Sequence, residues 1–167
     1  ATVARLMAAQ QGAETAFPQA ALAVTNPENT ANLAQVLAEG RRRDMAAGRT
    51  LLGPHRADLA AVFTAKGVAA DQCSTGEQKA LLISLILANA RALAADLGRP
   101  PILLLDEVAA HLDAGRRAAL YDELCALGAQ AIMTGTEPGV FDGLGARGQS
   151  FEITDISGQS IMTEVQA

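Results

Sequence analysis

The sequence predicts an α/β fold in which helices flank a parallel sheet, and three observations support it. Half of the 167 residues are hydrophobic but only 3% are aromatic and none is Trp, so the core must consist of aliphatic side chains that suit helices packed on a parallel sheet. Two short apolar runs, ILLLDE at 102–107 and AQAIMTGT at 129–136, are typical of buried strands, and ILLLDE is expected to be a central strand buried on both faces. A helical pattern separates them, and strand, helix, strand indicates a right-handed crossover unit.

The N-terminal third predicts two helices around one short strand. A helix is predicted over residues 1–16, ending before Phe17-Pro18. Ala20–Val24 is interpreted as a strand that stops at the Asn26-Pro27 break. From Glu28 to Ala47 the apolar residues recur at helical spacing and predict a second helix.

Three consecutive arginines, Arg41, Arg42 and Arg43, lie near the end of this second predicted helix. One interpretation is an ordinary solvated helix face. The other is a local patch that contacts phosphate groups, helped by Arg49 and Arg56. The formal net charge of −5 excludes a wholly basic nucleic-acid-binding protein but leaves room for such a patch.

The middle of the chain predicts a hairpin followed by a long helix. Gly53-Pro54 is a turn signal, and ADLAAVF at 57–63 with Lys66-Gly67 and Val68 indicates a β-hairpin. The stretch from Ser74 onward changes from polar residues to an almost unbroken apolar helical pattern. Gly98 is predicted to end this helix, since two prolines follow it.

The last third predicts a second helix and a terminal hairpin. The helix is predicted to follow Asp113 and to stop at Gly128, with Leu120, Leu124 and Leu127 on one face. Ser150–Thr154 and Ser160–Val165 are predicted to be the two strands of the hairpin.

Cys73 and Cys125 are isolated, with no metal-ligand spacing, which indicates a reducing compartment and no structural zinc. With no export signal and no uninterrupted apolar run of roughly 18 residues, we expect a cytoplasmic protein.

Two carboxylates follow the first apolar strand. Asp106 and Glu107 stand where this strand emerges from the sheet, which is where open α/β folds bind ligands. On their own they fit equally well with solvated carboxylates at a strand end.

The start of the long helix also has two interpretations. Ser74 and Glu77 fit a capping box, whereas Gly76 is costly in a helix but lets the backbone approach a bulky anion closely.

Several motifs together resemble a known family. ILLLDE resembles the Walker B strand of ABC-type ATPases, HLD at 111–113 their D-loop, and STGEQK at 74–79 their signature motif. With LLGPHRADL at 51–59 and MTGT at 133–136, in this order and spacing, the chain resembles the C-terminal part of the RecF family, whose heads are related to those of SMC proteins. The resemblance implies an ABC-type ATPase head fragment, with residues 1–49 in a mostly helical lobe and 50–167 in the head.

The resemblance also implies roles for individual residues. Asp106 would hold Mg²⁺, and Glu107 would orient or deprotonate the attacking water. The signature motif and the D-loop would contact an ATP bound mainly by a second subunit, through Ser74, Thr75, Gly76, Glu77, Gln78 and Asp113. Thr134 or Thr136 replaces the switch histidine of transporter ATPases, which disfavours a transporter subunit, and Thr136 is the candidate catalytic residue.

One part of a complete ATPase is absent from this sequence. No glycine is followed by lysine, so there is no GxxxxGK[ST] motif to hold the β- and γ-phosphates. A helix end contributes up to about 2 kcal/mol toward an anion, whereas micromolar binding requires about 8 kcal/mol. We therefore expect that the chain alone does not bind ATP appreciably and is inactive.

Two functional hypotheses follow. The first is part of an ATP-dependent DNA-binding protein of recombinational repair and replication, a homodimerisation switch with weak DNA-stimulated ATPase activity and recombination-mediator partners. The second is a structural module that docks a repair partner without nucleotide chemistry. A phosphate-binding motif elsewhere in the gene would favour the first. The functions of His55 and Arg56, in GPHR, stay open between a simple turn and a functional contact.

Overall fold

The computed structural model describes residues 2–25, 32–110 and 112–165. Four helices and seven strands occur there, with short 3₁₀ turns at Pro54–Arg56, Ala70–Gln72 and Asp142–Arg147. The elements are, in chain order, α1 (Thr2–Gln11), β1 (Ala20–Thr25), α2 (Leu33–Ala47), β2 (Asp58–Phe63), β3 (Val68–Ala69), α3 (Thr75–Leu97), β4 (Leu103–Leu105), α4 (Ala114–Leu127), β5 (Ala131–Met133), β6 (Ser150–Ile156) and β7 (Gln159–Val165).

The long helix α3 joins two hydrophobic clusters. One face contributes Ile83 and Leu87 to the larger cluster, which contains β4, α4 and Tyr121. Another face contributes Leu81 to a smaller cluster with β1 and α1. The predicted end of this helix is confirmed, since Gly98 adopts the left-handed conformation with φ 67°.

The parallel pair predicted around the acids is confirmed. β4 and β5 run parallel, with Leu104 opposite Ile132, and α4 connects them. This helix begins after Asp113, whose carboxylate caps it, and ends at Gly128 in the left-handed conformation.

The expectation that both faces of ILLLDE are buried is wrong. Leu103 and Leu105 are buried, but Ile102 and Leu104 are 65% and 74% exposed. Only β4 and β5 make up this sheet in the described part of the chain. Its second face therefore has no covering layer there, although the apolar run itself is typical of a fully covered strand.

An antiparallel sheet of β1, β2 and β3 forms the other half of the molecule. It confirms the strand at Ala20 and the hairpin that leads to α3. The buried Gln10 side chain fixes α1 to this sheet, because its amide accepts from Ala20 N at 2.9 Å and donates to Ala20 O at 3.2 Å. The helix predicted over 1–16 is too long, since α1 ends at Gln11 and Gly12 starts the return of the chain toward β1.

The predicted domain division after residue 49 runs through this sheet. β1 pairs with β2 along its whole length, from Ala20 opposite Phe63 to Thr25 opposite Asp58. The division stays a prediction. The predicted break at Asn26-Pro27 and the start of the second helix, residues 28–31, lie outside the described residues.

Two elements are exposed. α2 buries only Gly40, and Arg41, Arg42 and Arg43 are all exposed. The terminal hairpin is confirmed as β6 paired with β7, and Phe151, Ile153 and Met162 on one of its faces are 49%, 71% and 66% exposed.

α3 is long and apolar enough to cross a membrane by length and composition alone, but it is the core helix here, so this is weak evidence for a span.

Candidate functional site

The acidic pair lies at the carboxyl end of the parallel sheet. Asp106 and Glu107 follow β4 directly, and Thr134 follows β5, so the parallel arrangement brings all three to one edge. The Thr134 hydroxyl donates a hydrogen bond to Asp106 Oδ1, and its oxygen accepts the Glu107 backbone N–H at 3.0 Å. Asp106 is exposed and Glu107 is half-buried.

Glu107 has an unusual backbone conformation. Its φ is +48°, a left-handed value that non-glycine residues rarely adopt. Val108 and Ala109, which follow it, are buried and form a tight turn in which the Ala110 N–H donates to Glu107 O at 3.3 Å. This turn is the start of the segment that leads to Asp113.

Lys79 of α3 also contacts this turn. Its ammonium lies 2.6 Å from Glu107 O and 2.6 Å from Ala110 O and donates to both carbonyls. Sequence reasoning did not identify Lys79 as a functional residue. A signal was present, because Lys79 and Arg91 are the only basic residues of the apolar α3, and such a charge in a core helix usually has a specific partner.

The start of α3 has the predicted capping box. The Ser74 hydroxyl accepts the Glu77 N–H at 3.4 Å, and the Glu77 carboxylate accepts the Ser74 N–H at 3.0 Å. Lys66, in the turn between β2 and β3, forms an ion pair with Glu77. The hydrogen bond from Lys66, followed by those from Ser74, lowers the pKa of Glu77 to about 2.

The tip of α3 is open to solvent. Ser74, Thr75 and Gln78 are exposed, and a Cβ added at Gly76 would meet nothing within 4 Å. The Gln78 side-chain amide donates to Cys73 O at 3.0 Å and supports the preceding turn. Packing within the described residues therefore does not require the glycine, whereas approach by an external group would use it.

Neither Asp113 nor Thr136 makes a side-chain hydrogen bond to the acidic pair. The Asp113 carboxylate accepts the Arg116 N–H at 2.9 Å and pairs with the Arg116 guanidinium at 3.6 Å, so it has a helix-capping role. Its neighbour His111, the first residue of the D-loop-like HLD, lies outside the described residues. Thr136 is exposed and makes no side-chain hydrogen bond to any described residue, so Thr134 is the threonine that contacts the acids.

The GPHR segment is a 3₁₀ turn. His55 Nε2 lies 3.1 Å from Thr50 O across this turn. Gly53 adopts φ +139°, and a Cβ there would come within 3.1 Å of His55 Nδ1. A structural role in the turn accounts for these contacts, and the exposed Arg56 has no ion pair with a described residue.

The acidic pair offers carboxylate oxygens that could contribute to a shared metal site. No group of three His, Cys, Asp or Glu side chains that could hold a metal occurs in the described ranges. Mg²⁺ is commonly held by one or two carboxylates together with phosphate oxygens and water. Asp106 is exposed and uses Oδ1 for Thr134, which leaves Oδ2 available for such a role.

Comparison with known proteins identifies closely similar sequences, although no family model matches the chain. Over 120 residues the chain is 57% identical to the DNA replication and repair protein RecF of Rhizobium meliloti (strain 1021), which covers 72% of this chain and 32% of that protein. It is 56% identical over 119 residues to RecF of Agrobacterium fabrum (strain C58 / ATCC 33970), covering 71% and 32%. The chain thus spans about a third of the length of these relatives.

Solved structures show the same fold at lower sequence identity. The recombination mediator protein RecF with ATP, of the RecFOR pathway, superposes with a TM-score of 0.61 at 19% identity, covering 98% of this chain and 44% of that one. An SMC ATPase studied for ATP-driven dimerization and DNA-stimulated activation superposes with a TM-score of 0.58 at 14% identity, covering 99% and 86%. The predicted α/β head fold is therefore confirmed.

Proposed function

Because this chain is homologous to part of RecF, a DNA replication and repair protein, we propose that it is the C-terminal part of an ATP-dependent DNA-binding protein of recombinational repair. In this proposal, ATP joins two heads into a homodimer that holds duplex or gapped DNA, and slow hydrolysis releases them. The protein acts in the cytoplasm, at replication forks and in repair. Recombination-mediator proteins are its expected partners.

The observation that carries the proposal is the acidic pair held by Thr134 at the sheet edge. Glu107 is half-buried, and its backbone is fixed by two side-chain contacts. A carboxylate carried by a backbone fixed in this way suits a general base or a water-orienting group in phosphoryl transfer. Asp106, beside it, would hold Mg²⁺, which neutralises charge on the phosphate oxygens when bound.

The tip of α3 supplies the second half of the proposed site. The positive helix end favours an anion, although the Glu77 N–H is already bound by the Ser74 hydroxyl. The open space at Gly76 leaves room for a phosphate group. We propose that Ser74, Gly76 and Gln78 contact the γ-phosphate of an ATP bound by the partner head. Thr75 completes the exposed tip, and Glu77 maintains it through the capping box.

The exposed apolar surfaces support an origin in a larger head. Leu104 and Ile132, which are neighbours in register on the two parallel strands, are 74% and 54% exposed. An uncovered pair of this kind is costly in water, by about 25 cal/mol for each Å² of apolar surface. We propose that a nucleotide-binding half of the head packs on this face and supplies the phosphate-binding motif that this sequence lacks.

Arg41, Arg42 and Arg43 are the proposed DNA contact. All three are exposed, and none forms an ion pair with a residue in the described ranges. Replacing them together with Ala in the full-length protein should reduce the slope of log K against log salt by up to about 3, because each lost phosphate contact contributes roughly 0.9. Arg99→Ala, at another exposed position, is the control.

The experiment that tests the proposal is sedimentation of the full-length protein with and without ATP and duplex DNA. We expect monomers without nucleotide and dimers with ATP, with DNA favouring the dimer. Dimerisation to the same extent with and without ATP would contradict the proposal and favour a module that docks a partner without nucleotide chemistry.

A further inference from the structure

Lys79 contacts the turn from Glu107 to Ala110, although a lysine on a core helix does not need this contact. A lysine on α3 could extend its flexible stem to water, but this ammonium instead donates to Glu107 O and Ala110 O, each at 2.6 Å. No carboxylate lies within 4.0 Å of it in the described part of the chain. Its charge is therefore used on two carbonyl dipoles of one turn.

Glu107 is held on both sides of its Cα. Thr134 accepts its N–H at 3.0 Å, and Lys79 donates to its C=O. Between these contacts the residue adopts φ +48°, a conformation that costs a non-glycine residue free energy and persists only where surrounding contacts impose it. The direction of the Glu107 side chain depends on this conformation, because φ sets the orientation of Cβ relative to the preceding strand.

We propose that Lys79 is a positioning residue that holds Glu107 in its left-handed conformation and so aims the carboxylate. This inference rests on the proposed function for the task of Glu107, but the positioning itself concerns only the contacts within this chain. Lys79 lies five residues after Ser74 on the same helix, which is about 7.5 Å along the axis. The helix whose tip meets one nucleotide is thereby attached to the acid that acts on the other.

The first test measures amide hydrogen exchange in the nucleotide-free, full-length protein. In Lys79→Met, the Glu107 and Ala110 amides should exchange about 10-fold faster or more, since a charged hydrogen bond to the turn is lost. Amides in the centre of α3 should keep their protection. Unchanged exchange at Glu107 and Ala110 would overturn the proposal.

A matched control separates positioning from general stability. Arg91 is the other basic residue of α3 and forms a partly buried ion pair with Glu123. It lies 12 residues beyond Lys79, about 18 Å along the helix. Arg91→Met should reduce overall stability but leave exchange at Glu107 at the wild-type rate. An equal rise in both variants would show that Lys79 has only a structural role.

The second test measures ATP hydrolysis by the same variants. Lys79→Met should reduce kcat about 10-fold with KM for ATP and ATP-dependent dimerisation retained. Lys79→Arg should restore most of the rate, because a guanidinium also offers several N–H donors to the two carbonyls. Failure of Lys79→Arg to restore both the rate and the exchange pattern would contradict the proposal. If wild-type protein forms no ATP-dependent dimers, the proposed function is contradicted, but the exchange result still tests the positioning by Lys79.

Discussion

Thr134 accepts the backbone N–H of Glu107 at 3.0 Å and thereby joins the ends of two neighbouring parallel strands. The same hydroxyl donates to Asp106. One side chain directly after β5 therefore contacts both residues that follow β4, through the Asp106 carboxylate and the Glu107 backbone. Thr136, two residues later, makes no such contact with the described residues.

Thr134→Ala should slow ATP hydrolysis by the full-length protein by about 10-fold or more, because a hydrogen bond to a charged carboxylate is lost. Thr134→Ser keeps the hydroxyl and should retain most of the rate. Single-turnover hydrolysis measures both. Thr136→Ala is the informative comparison: a large loss there with none in Thr134→Ala would return the catalytic role to Thr136 and refute the one given to Thr134.

Glu107→Gln should slow hydrolysis by roughly 10²–10³-fold while leaving nucleotide binding largely intact. The amide preserves the shape of the side chain but cannot accept a proton from water. Rapid-quench hydrolysis and equilibrium nucleotide binding should be measured on the same preparation. Equal losses of binding and turnover would mark Glu107 as a structural residue.

The Glu77 carboxylate should make stability depend on pH at the acidic end. Its folded pKa is about 2, below the ordinary value of 4.5, chiefly through the hydrogen bond from Lys66. A group with a lowered pKa stabilises the fold above its unfolded pKa, and this contribution is lost as pH falls from 4.5 toward 2. Denaturation at several pH values should show a smaller decline for Glu77→Gln than for wild type. Lys66→Met should also flatten the profile, and a steeper decline in either variant would contradict this explanation.

Tyr121→Phe should destabilise the protein by about 1–2 kcal/mol. Tyr121 is 1% exposed, and its hydroxyl donates to Val140 O at 2.6 Å, so the substitution leaves a buried carbonyl without its donor. Denaturant titration measures the change in the free energy of unfolding. Met45→Ala, at a side chain that is 77% exposed, should change it by less than about 0.5 kcal/mol. A Tyr121→Phe value as small as this control would show that the hydrogen bond has no net effect.

Local signals in the sequence predicted the elements that carry the site. Gly98 and Gly128 end α3 and α4 in the left-handed conformation, and a glycine after an apolar helical pattern is the usual signal for this. The parallel pair was predictable because two apolar runs flank one helix. The position of Asp106 at a strand end followed from the same pattern.

Contacts between distant residues were not predictable in this way. The bonds from Lys79 to Glu107 and Ala110 span 28 and 31 positions, and no local pattern indicates where a flexible lysine side chain will reach. The prediction that Leu104 is buried failed for a related reason. The run has the composition of a strand covered on both faces, but the covering layer must come from residues outside the local sequence.

The most direct test of the central claim mixes two inactive full-length variants. Gly76→Asp places a negative side chain in open space at the tip of α3, where it should disturb the fold little and repel phosphate. Glu107→Gln disables the acid. If each nucleotide lies between the acids of one head and the helix tip of the other, a mixed dimer has one intact site, so an equal mixture should recover about a quarter of wild-type hydrolysis by random pairing. No recovery in a mixture that forms mixed dimers would place both groups at the same head's site and contradict the account.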